Sequence, residues 1–314
     1  MKQSRPILID TDSGVDDALA LILALRSPEV AVKAVTTVAG NVEVGKCTAN
    51  VLFLLRLLHY QRDVIVARGA EKPLRRTLVT APEVHGRDGL GNVNRRSAPS
   101  RSMPRRAEET IIECCQKFGK QLTVVAIGPL TNIALAWRRN PSALKRMGSL
   151  ISMGGAFRVP GNTGPVAEFN YYVDPDAANI VLNSGLPITI IPLDLTEQFV
   201  LLHRELEDRS KRRGDKIAQS ISRFTRTYMH YHEKTQGFYG GYIHDPLALA
   251  AAISPELFQT IGTKVSVETK GRWMRGMTVG SVQRTTQSRP GVVNVAVAVN
   301  KNKFLTLLRK RLWK

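Results

Sequence analysis

Four carboxylates fall within eight residues in the run Asp10-Thr11-Asp12-Ser13-Gly14-Val15-Asp16-Asp17. The run follows a short apolar stretch, Ile7-Leu8-Ile9, and precedes a segment of helical periodicity from Asp16 to about Arg26. Ligands of open α/β sheets bind beyond the carboxyl ends of strands, so the cluster is expected to line a pocket. Ser13-Gly14 permits a tight turn, which places Asp16 and Asp17 in a first helical turn, where negative charge is favoured. Two like charges roughly 4 Å apart repel by about 4 kcal/mol at an effective dielectric near 20. Converging carboxylates therefore raise one another's pKa unless a cation compensates. A hard dication with oxygen ligands, calcium or magnesium, suits such a set. No His/Cys spacing suggests zinc. Aspartates that merely cap a helix and face water would explain one or two of the four, not all.

Other polar residues are ambiguous when read singly. Asn41 follows Ala39-Gly40 and could be an ordinary turn residue. Glu168 and Asn170 stand at i, i+2 and would face the same way on an extended segment. His85, in a Gly-rich loop, either contacts a ligand or caps a turn. Asp245 before Pro246 reads as a helix N-cap with proline at the first helical position. Tyr228, His232 and Gln236 lie at four-residue spacing on one face of a helical segment, either a packed face or a ligand-facing one.

The elements that must position these residues alternate. Strand-like runs are expected at Ile7–Ile9, Val32–Val38, Val64–Val66, Leu122–Ile127, Leu150–Met153 and Ile188–Pro192, with helices between them, notably Val44–His59 and one from about Thr131. This pattern predicts an α/β fold, a mostly parallel, Rossmann-like central sheet flanked by helices, with the site at the carboxyl ends of the strands. Residues 203–244 read as helical but polar, and 263–300 as strands with a turn. Arg68–Arg106 is a long, weakly periodic stretch of the kind that is usually functional or disordered. No Gly/Ser linker divides the chain, so residues 1–314 are expected to form one domain.

The chain has 314 residues, 43% of them hydrophobic, which is enough for a sizeable core and excludes a disordered or collagen-like chain. No apolar run approaches membrane-spanning length. The absence of a secretory h-region and the three cysteines (Cys47, Cys114, Cys115) predict a reduced, cytoplasmic protein. The formal charge is +19, and no Asp or Glu follows Glu268. Such a field suits a solvated face or steering of polyanions. No nucleic-acid-binding motif accompanies it, so specific nucleic-acid binding is not expected.

The acidic run resembles the N-terminal D-x-D-x-G-x-D-D signature of the inosine-uridine preferring nucleoside hydrolase family. Further segments agree in order and rough spacing: Val38-Ala39-Gly40-Asn41, Val84-His85-Gly86 with Gly89-Leu90-Gly91, Ile127-Gly128-Pro129-Leu130-Thr131-Asn132, Met153-Gly154-Gly155, Glu168-Phe169-Asn170 and His244-Asp245-Pro246. Thr36–Val42 and Val125–Leu135 look most like the broad-specificity bacterial members. The resemblance implies hydrolysis of the N-glycosidic bond of ribonucleosides. It implies calcium held by Asp10, Asp17, Asp245 and the Ile127 carbonyl. It places Asp16, Asn41, Glu168, Asn170 and the Met153 backbone on the sugar hydroxyls, makes Asp12 the general base and sets His244 near the leaving base. His85, Tyr228, His232 and Gln236 are then candidates for the nucleobase. A homodimer or homotetramer is also implied.

Two departures stand out. Ser13 occupies a position where the family usually has proline, and residues 281–291 carry none of the acidic residues expected there. Two alternatives compete. A haloacid-dehalogenase-like phosphatase would also use Asp10 and Asp12 but leaves Asp16 and Asp17 unexplained. A non-catalytic nucleic-acid-binding protein on a hydrolase-like fold would account for the basic charge.

Overall fold

The computed structural model describes residues 4–93, 105–211, 215–280 and 292–313. Its strands are β1 (Arg5–Thr11), β2 (Val30–Thr37), β3 (Ile65–Arg68), β4 (Thr123–Ala126), β5 (Ser149–Met153), β6 (Ile188–Ile191), β7 (Val200–Leu202), β8 (Gly240–Tyr242), β9 (Phe258–Val267), β10 (Thr278–Gly280) and β11 (Val292–Val299). A nine-stranded sheet runs in the order β10-β9-β11-β6-β5-β4-β1-β2-β3. From β3 across to β11 neighbouring strands are parallel, and β9 and β10 add antiparallel pairings at one edge. The order reverses between β1 and β4, and that reversal opens a crevice at the carboxyl ends of both strands.

Strand alternation builds two core layers. Ile7 and Ile9 pack into one, with the helix Val15–Leu25, while Leu8 packs into the other, with residues of the helices Ala107–Phe118 and Thr131–Arg139. Both faces are covered, as a parallel sheet requires. Every residue of Val15–Leu25 is buried, which fits its almost wholly apolar sequence beyond the first turn. It packs on His244–Ile253, where every residue but His244 is buried. Two buried helices thus lie together, and the acidic first turn of each is fixed by the core beneath it.

Most expected elements appear within two residues of their bounds. Residues 203–244 are corrected: the helices His203–Ser210 and Lys216–Gln236 are followed by β8, which pairs with β7 in a small antiparallel ribbon. Glycine at 240 and 241 favours extended pairing over a continued helix. Within Arg68–Arg106, Pro82–His85 forms a helical turn. The segment 281–291 lies outside the described residues. Several basic residues near the C-terminus make tertiary ties. Arg311 is buried and pairs with Glu29 at 2.6 Å, Arg309 pairs with Glu205 at 2.9 Å, and Arg275 lies over the Tyr172 ring. No described helix is long and apolar enough to cross a membrane.

Candidate active site

The carboxylates meet at the switch point between β1 and β4. Asp10 ends the β1–β4 register opposite Ala126, and its carbonyl accepts the Ile127 N–H at 2.8 Å. Asp16 and Asp17 occupy the first turn of Val15–Leu25, and Asp245 the first turn of His244–Ile253. The helix begins at His244, so Asp245 lies inside it and is not its cap. Its carboxylate is thereby free to face Asp16 and Asp17. Carboxylate oxygens of these three residues lie within 4.8 Å of one another. Two helix N-termini offset part of the repulsion. Asp10 stands outside that tightest group, and Asp16 stands within it.

Neighbouring groups orient each acid. Asp10 Oδ1 accepts from Asn132 Nδ2 at 2.8 Å and Thr36 Oγ1 at 2.5 Å. Asp17 accepts from the Thr11 hydroxyl, from the Gly14 N–H at 2.8 Å and from Asn41 Nδ2 at 3.2 Å. Asp12 Oδ2 accepts the Asn41 N–H at 2.7 Å. Asp10 Oδ2 and Asp12 Oδ1 are buried and have no hydrogen-bond partner among the described residues. A buried carboxylate oxygen left this way is costly, and a bound cation removes that cost. All the donors are hard oxygens. The residues present therefore fit a dication of the calcium or magnesium kind.

Without a cation the acids hold protons tightly. Burial first, and the Asp17 charge second, push Asp16 up to about 8. Burial pushes Asp10 up to about 7 against the bonds from Asn132 and Thr36. Asp12 and Asp245 are raised well above the carboxylate range by burial and by neighbouring aspartates, and Asp17 is raised by burial.

Above this floor lies a cavity of about 590 Å³, within the size range of small-molecule sites. Asp16, Asn41, His85, Ile127, Met153, Glu168, Asn170, Tyr228, His232, Gln236, His244 and Asp245 all line it. Asp10, Asp12 and Asp17 sit beneath them, fully buried or nearly so. Glu168 and Asn170 reach the cavity by a different route from the one expected. Glu168 caps the helix Phe169–Val173, accepting from the Asn170 and Tyr171 N–H groups, and Asn170 lies in that helix's first turn. Burial holds Glu168 up at about 7. Asn170 Nδ2 donates to the carbonyls of Ile127 and Met153, each at 3.2 Å, and so ties β4 to β5 at the cavity wall.

Tyr228, His232 and Gln236 do share the cavity face of one helix. Tyr228 stacks on His85 at 5.4 Å and donates its hydroxyl to the Tyr242 carbonyl at 2.8 Å. His85 Nδ1 accepts the Val15 N–H at 3.1 Å, and burial holds its pKa down at about 3. His85 is therefore neutral, with Nε2–H its remaining donor. Burial, then His232, also lowers His244 to about 3.

Sequence reasoning assigned no role to Thr11, Thr36 or Asn132, although all three lie inside segments it singled out. It also passed over Tyr231, Glu197 and the 160–164 loop, which line the cavity. Ser13 adopts φ +46°, which a proline ring fixed near −65° cannot take. Its N–H donates to Thr11 Oγ1 at 2.9 Å.

Gly40 is required by close approach. A Cβ there would fall inside the Asp12 carboxylate, which must then leave the Asn41 N–H. Displacing a reacting group by about 1 Å can cost about 10²-fold. If Asp12 is the base that the sequence suggests, Gly40→Ala is expected to lower kcat by about 10²-fold in steady-state kinetics with an unchanged circular dichroism spectrum.

A doubly wound sheet with carboxylates massed under a cavity at its switch point defines an α/β enzyme that takes its ligand from the carboxyl ends of the strands. Residues 7–306 match the model of the inosine-uridine preferring nucleoside hydrolases, and the chain belongs to that family. It is a ribonucleoside hydrolase. The pyrimidine-specific ribonucleoside hydrolase RihA of Enterobacter sp. (strain 638) is 39% identical over 308 residues, 98% of this chain and 97% of that one. The plant nucleoside hydrolase PpNRh1 superposes with a TM-score of 0.91 at 35% identity, covering 98% of this chain and 99% of that one. The purine-preferring ribonucleoside hydrolase from Gardnerella vaginalis also reaches 0.91, at 33% identity and 98% of both chains.

Proposed function

We propose that this single-domain chain cleaves the N-glycosidic bond of ribonucleosides with calcium as cofactor and Asp12 as general base. The observation that carries this reading is the pair of partnerless buried oxygens, Asp10 Oδ2 and Asp12 Oδ1, beside the Asp16, Asp17 and Asp245 carboxylates. Asp10, Asp17, Asp245 and the Ile127 carbonyl would hold the ion. When bound, calcium supplies Lewis-acid activation of water and a grip on the ribose diol.

The chain's own residues supply the rest. Asp16, Asn41, Glu168, Asn170 and the Met153 backbone orient the sugar hydroxyls. Asp12 takes the proton of the attacking water through Oδ1, while the Asn41 N–H fixes Oδ2. Cleavage passes through an oxocarbenium-like state, which the surrounding carboxylates stabilise electrostatically. His244 serves the leaving base, and His85, Tyr228, His232 and Gln236 surround that base. Reaction occurs in the cytoplasm, in a homodimer or homotetramer. A phosphatase using Asp10 and Asp12 would leave Asp16, Asp17 and Asp245 without a role.

Uridine, cytidine, inosine and adenosine, each tested with calcium and with chelator, check the reading through ribose release. Turnover of at least one with calcium is expected. 2′-Deoxyuridine is expected to react at least about 10²-fold more slowly than uridine, because a buried position built for a hydroxyl is left unfilled. No ribose from any ribonucleoside, or equal rates on the deoxy substrate, would overturn it.

A further inference from the structure

Resting on the ribonucleoside-hydrolase reading, we propose that Thr196 is a positioning residue that holds His244 through Nδ1 and so directs Nε2 at the departing nucleobase. Thr196 ends the short helix Leu193–Thr196 that follows β6. It is fully buried and does not line the cavity, whereas His244 does. Thr196 Oγ1 and His244 Nδ1 are 2.7 Å apart, across 48 residues of chain. An imidazole bonded at Nδ1 to a group in the protein interior has one nitrogen left for the cavity, and that nitrogen is Nε2.

Local folding does not need the hydroxyl. The turn is closed by its backbone, Thr196 N–H to the Pro192 carbonyl and Phe199 N–H to the Thr196 carbonyl, each at 3.1 Å. The neighbours in sequence, Leu193, Leu195 and Phe199, are buried in the apolar core. A valine would satisfy that packing, yet a buried hydroxyl stands there, and such a group needs a partner. The partner is His244. A hydroxyl can donate to Nδ1 or accept from it, so the ring keeps one orientation in either tautomer. On its other side the ring meets Tyr242, with centroids 5.4 Å apart, which limits its swing.

A leaving group that needs no help separates this role from a structural one. A nucleobase departs poorly without a proton or hydrogen bond, whereas 4-nitrophenolate departs as a stable anion. Thr196→Val is expected to lower kcat on the best ribonucleoside by about 30-fold, with KM within about threefold. The same variant should cleave 4-nitrophenyl β-D-ribofuranoside within about twofold of the wild-type rate. Thr196→Ser, which keeps the hydroxyl, should restore nucleoside turnover to within about fivefold. Equal loss on both substrates, wild-type nucleoside turnover by Thr196→Val, or no rescue by Thr196→Ser would overturn the assignment. Wild-type enzyme inert towards every ribonucleoside would instead remove the reading beneath it.

Discussion

Asp12→Asn is expected to lower kcat by about 10³-fold or more while leaving the fold intact. The residue is held at its side chain and at its backbone. Asn41 N–H holds Oδ2 at 2.7 Å, the Cys47 thiol donates to the Asp12 backbone carbonyl at 2.9 Å, and the carboxylate fills the space that Gly40 leaves by having no Cβ. Of the two carboxylate oxygens Oδ1 has no hydrogen-bond partner among the described residues, and it is the atom available to take a proton. Asparagine keeps the shape and the Asn41 contact but cannot accept that proton, so general-base catalysis, commonly about 10² to 10⁴-fold, is lost. The substitution also removes a buried charge that Asp17 and Asp16 repel. The chelated variant should therefore melt at a higher temperature than the chelated wild type. Calcium affinity, read by terbium competition, should stay within about tenfold, because Asp12 is not among the assigned ligands. Turnover within tenfold of wild type would show that another group takes the proton.

How much of this was legible in the sequence depends on how local each signal is. Asp10 to Asp17 could be read because four like charges at a strand–helix junction have few physical excuses. The doubly wound sheet was legible for the same reason, since short apolar runs alternate with helical periods. Asp245 was harder. Its proximity to Asp16 and Asp17 comes from the packing of two buried helices distant in sequence, and only the family likeness brought it forward. The expected N-cap at Asp245 was displaced by a helix that begins at His244, two residues earlier than that cap requires, and the extended segment expected through Glu168 and Asn170 by a helix that begins at Phe169. Thr196 carried no pattern at all, and Asn132, though inside a family-like segment, carried no sign of its bond to Asp10. One sits in Leu-Asp-Leu-Thr and the other in a helix start, and their bonds to His244 and Asp10 cross 48 and 122 residues. Partnerships at that separation are set by topology and leave no periodic trace.

Removing calcium is expected to abolish turnover and to make stability strongly pH-dependent, with a sign opposite to that of ordinary salt-bridged carboxylates. In the metal-free fold Asp10 is held up at about 7 and Asp16 at about 8, with Asp12 and Asp245 also raised, from a common ordinary value of 3.8. Between about pH 4 and pH 8 the folded state therefore binds more protons than the unfolded chain. Stability must then fall as pH rises through that window, because the slope follows protons bound unfolded minus protons bound folded. Below about pH 4 both states are protonated and the penalty disappears. Glu168, held at about 7 by burial, adds to the same trend without being a ligand. Calcium is expected to bind the deprotonated, folded cluster, which would stabilise it by about 4 kcal/mol at a thousandfold excess over Kd. Its effect on the melting temperature should thus be small near pH 5 and large near pH 8. Melts recorded with chelator and with saturating calcium across that range check this. A chelated protein whose melting temperature rises or stays flat from pH 5 to pH 8 would mean that these carboxylates do not converge in the folded state. Retained turnover after complete chelation would mean that they converge without needing the ion.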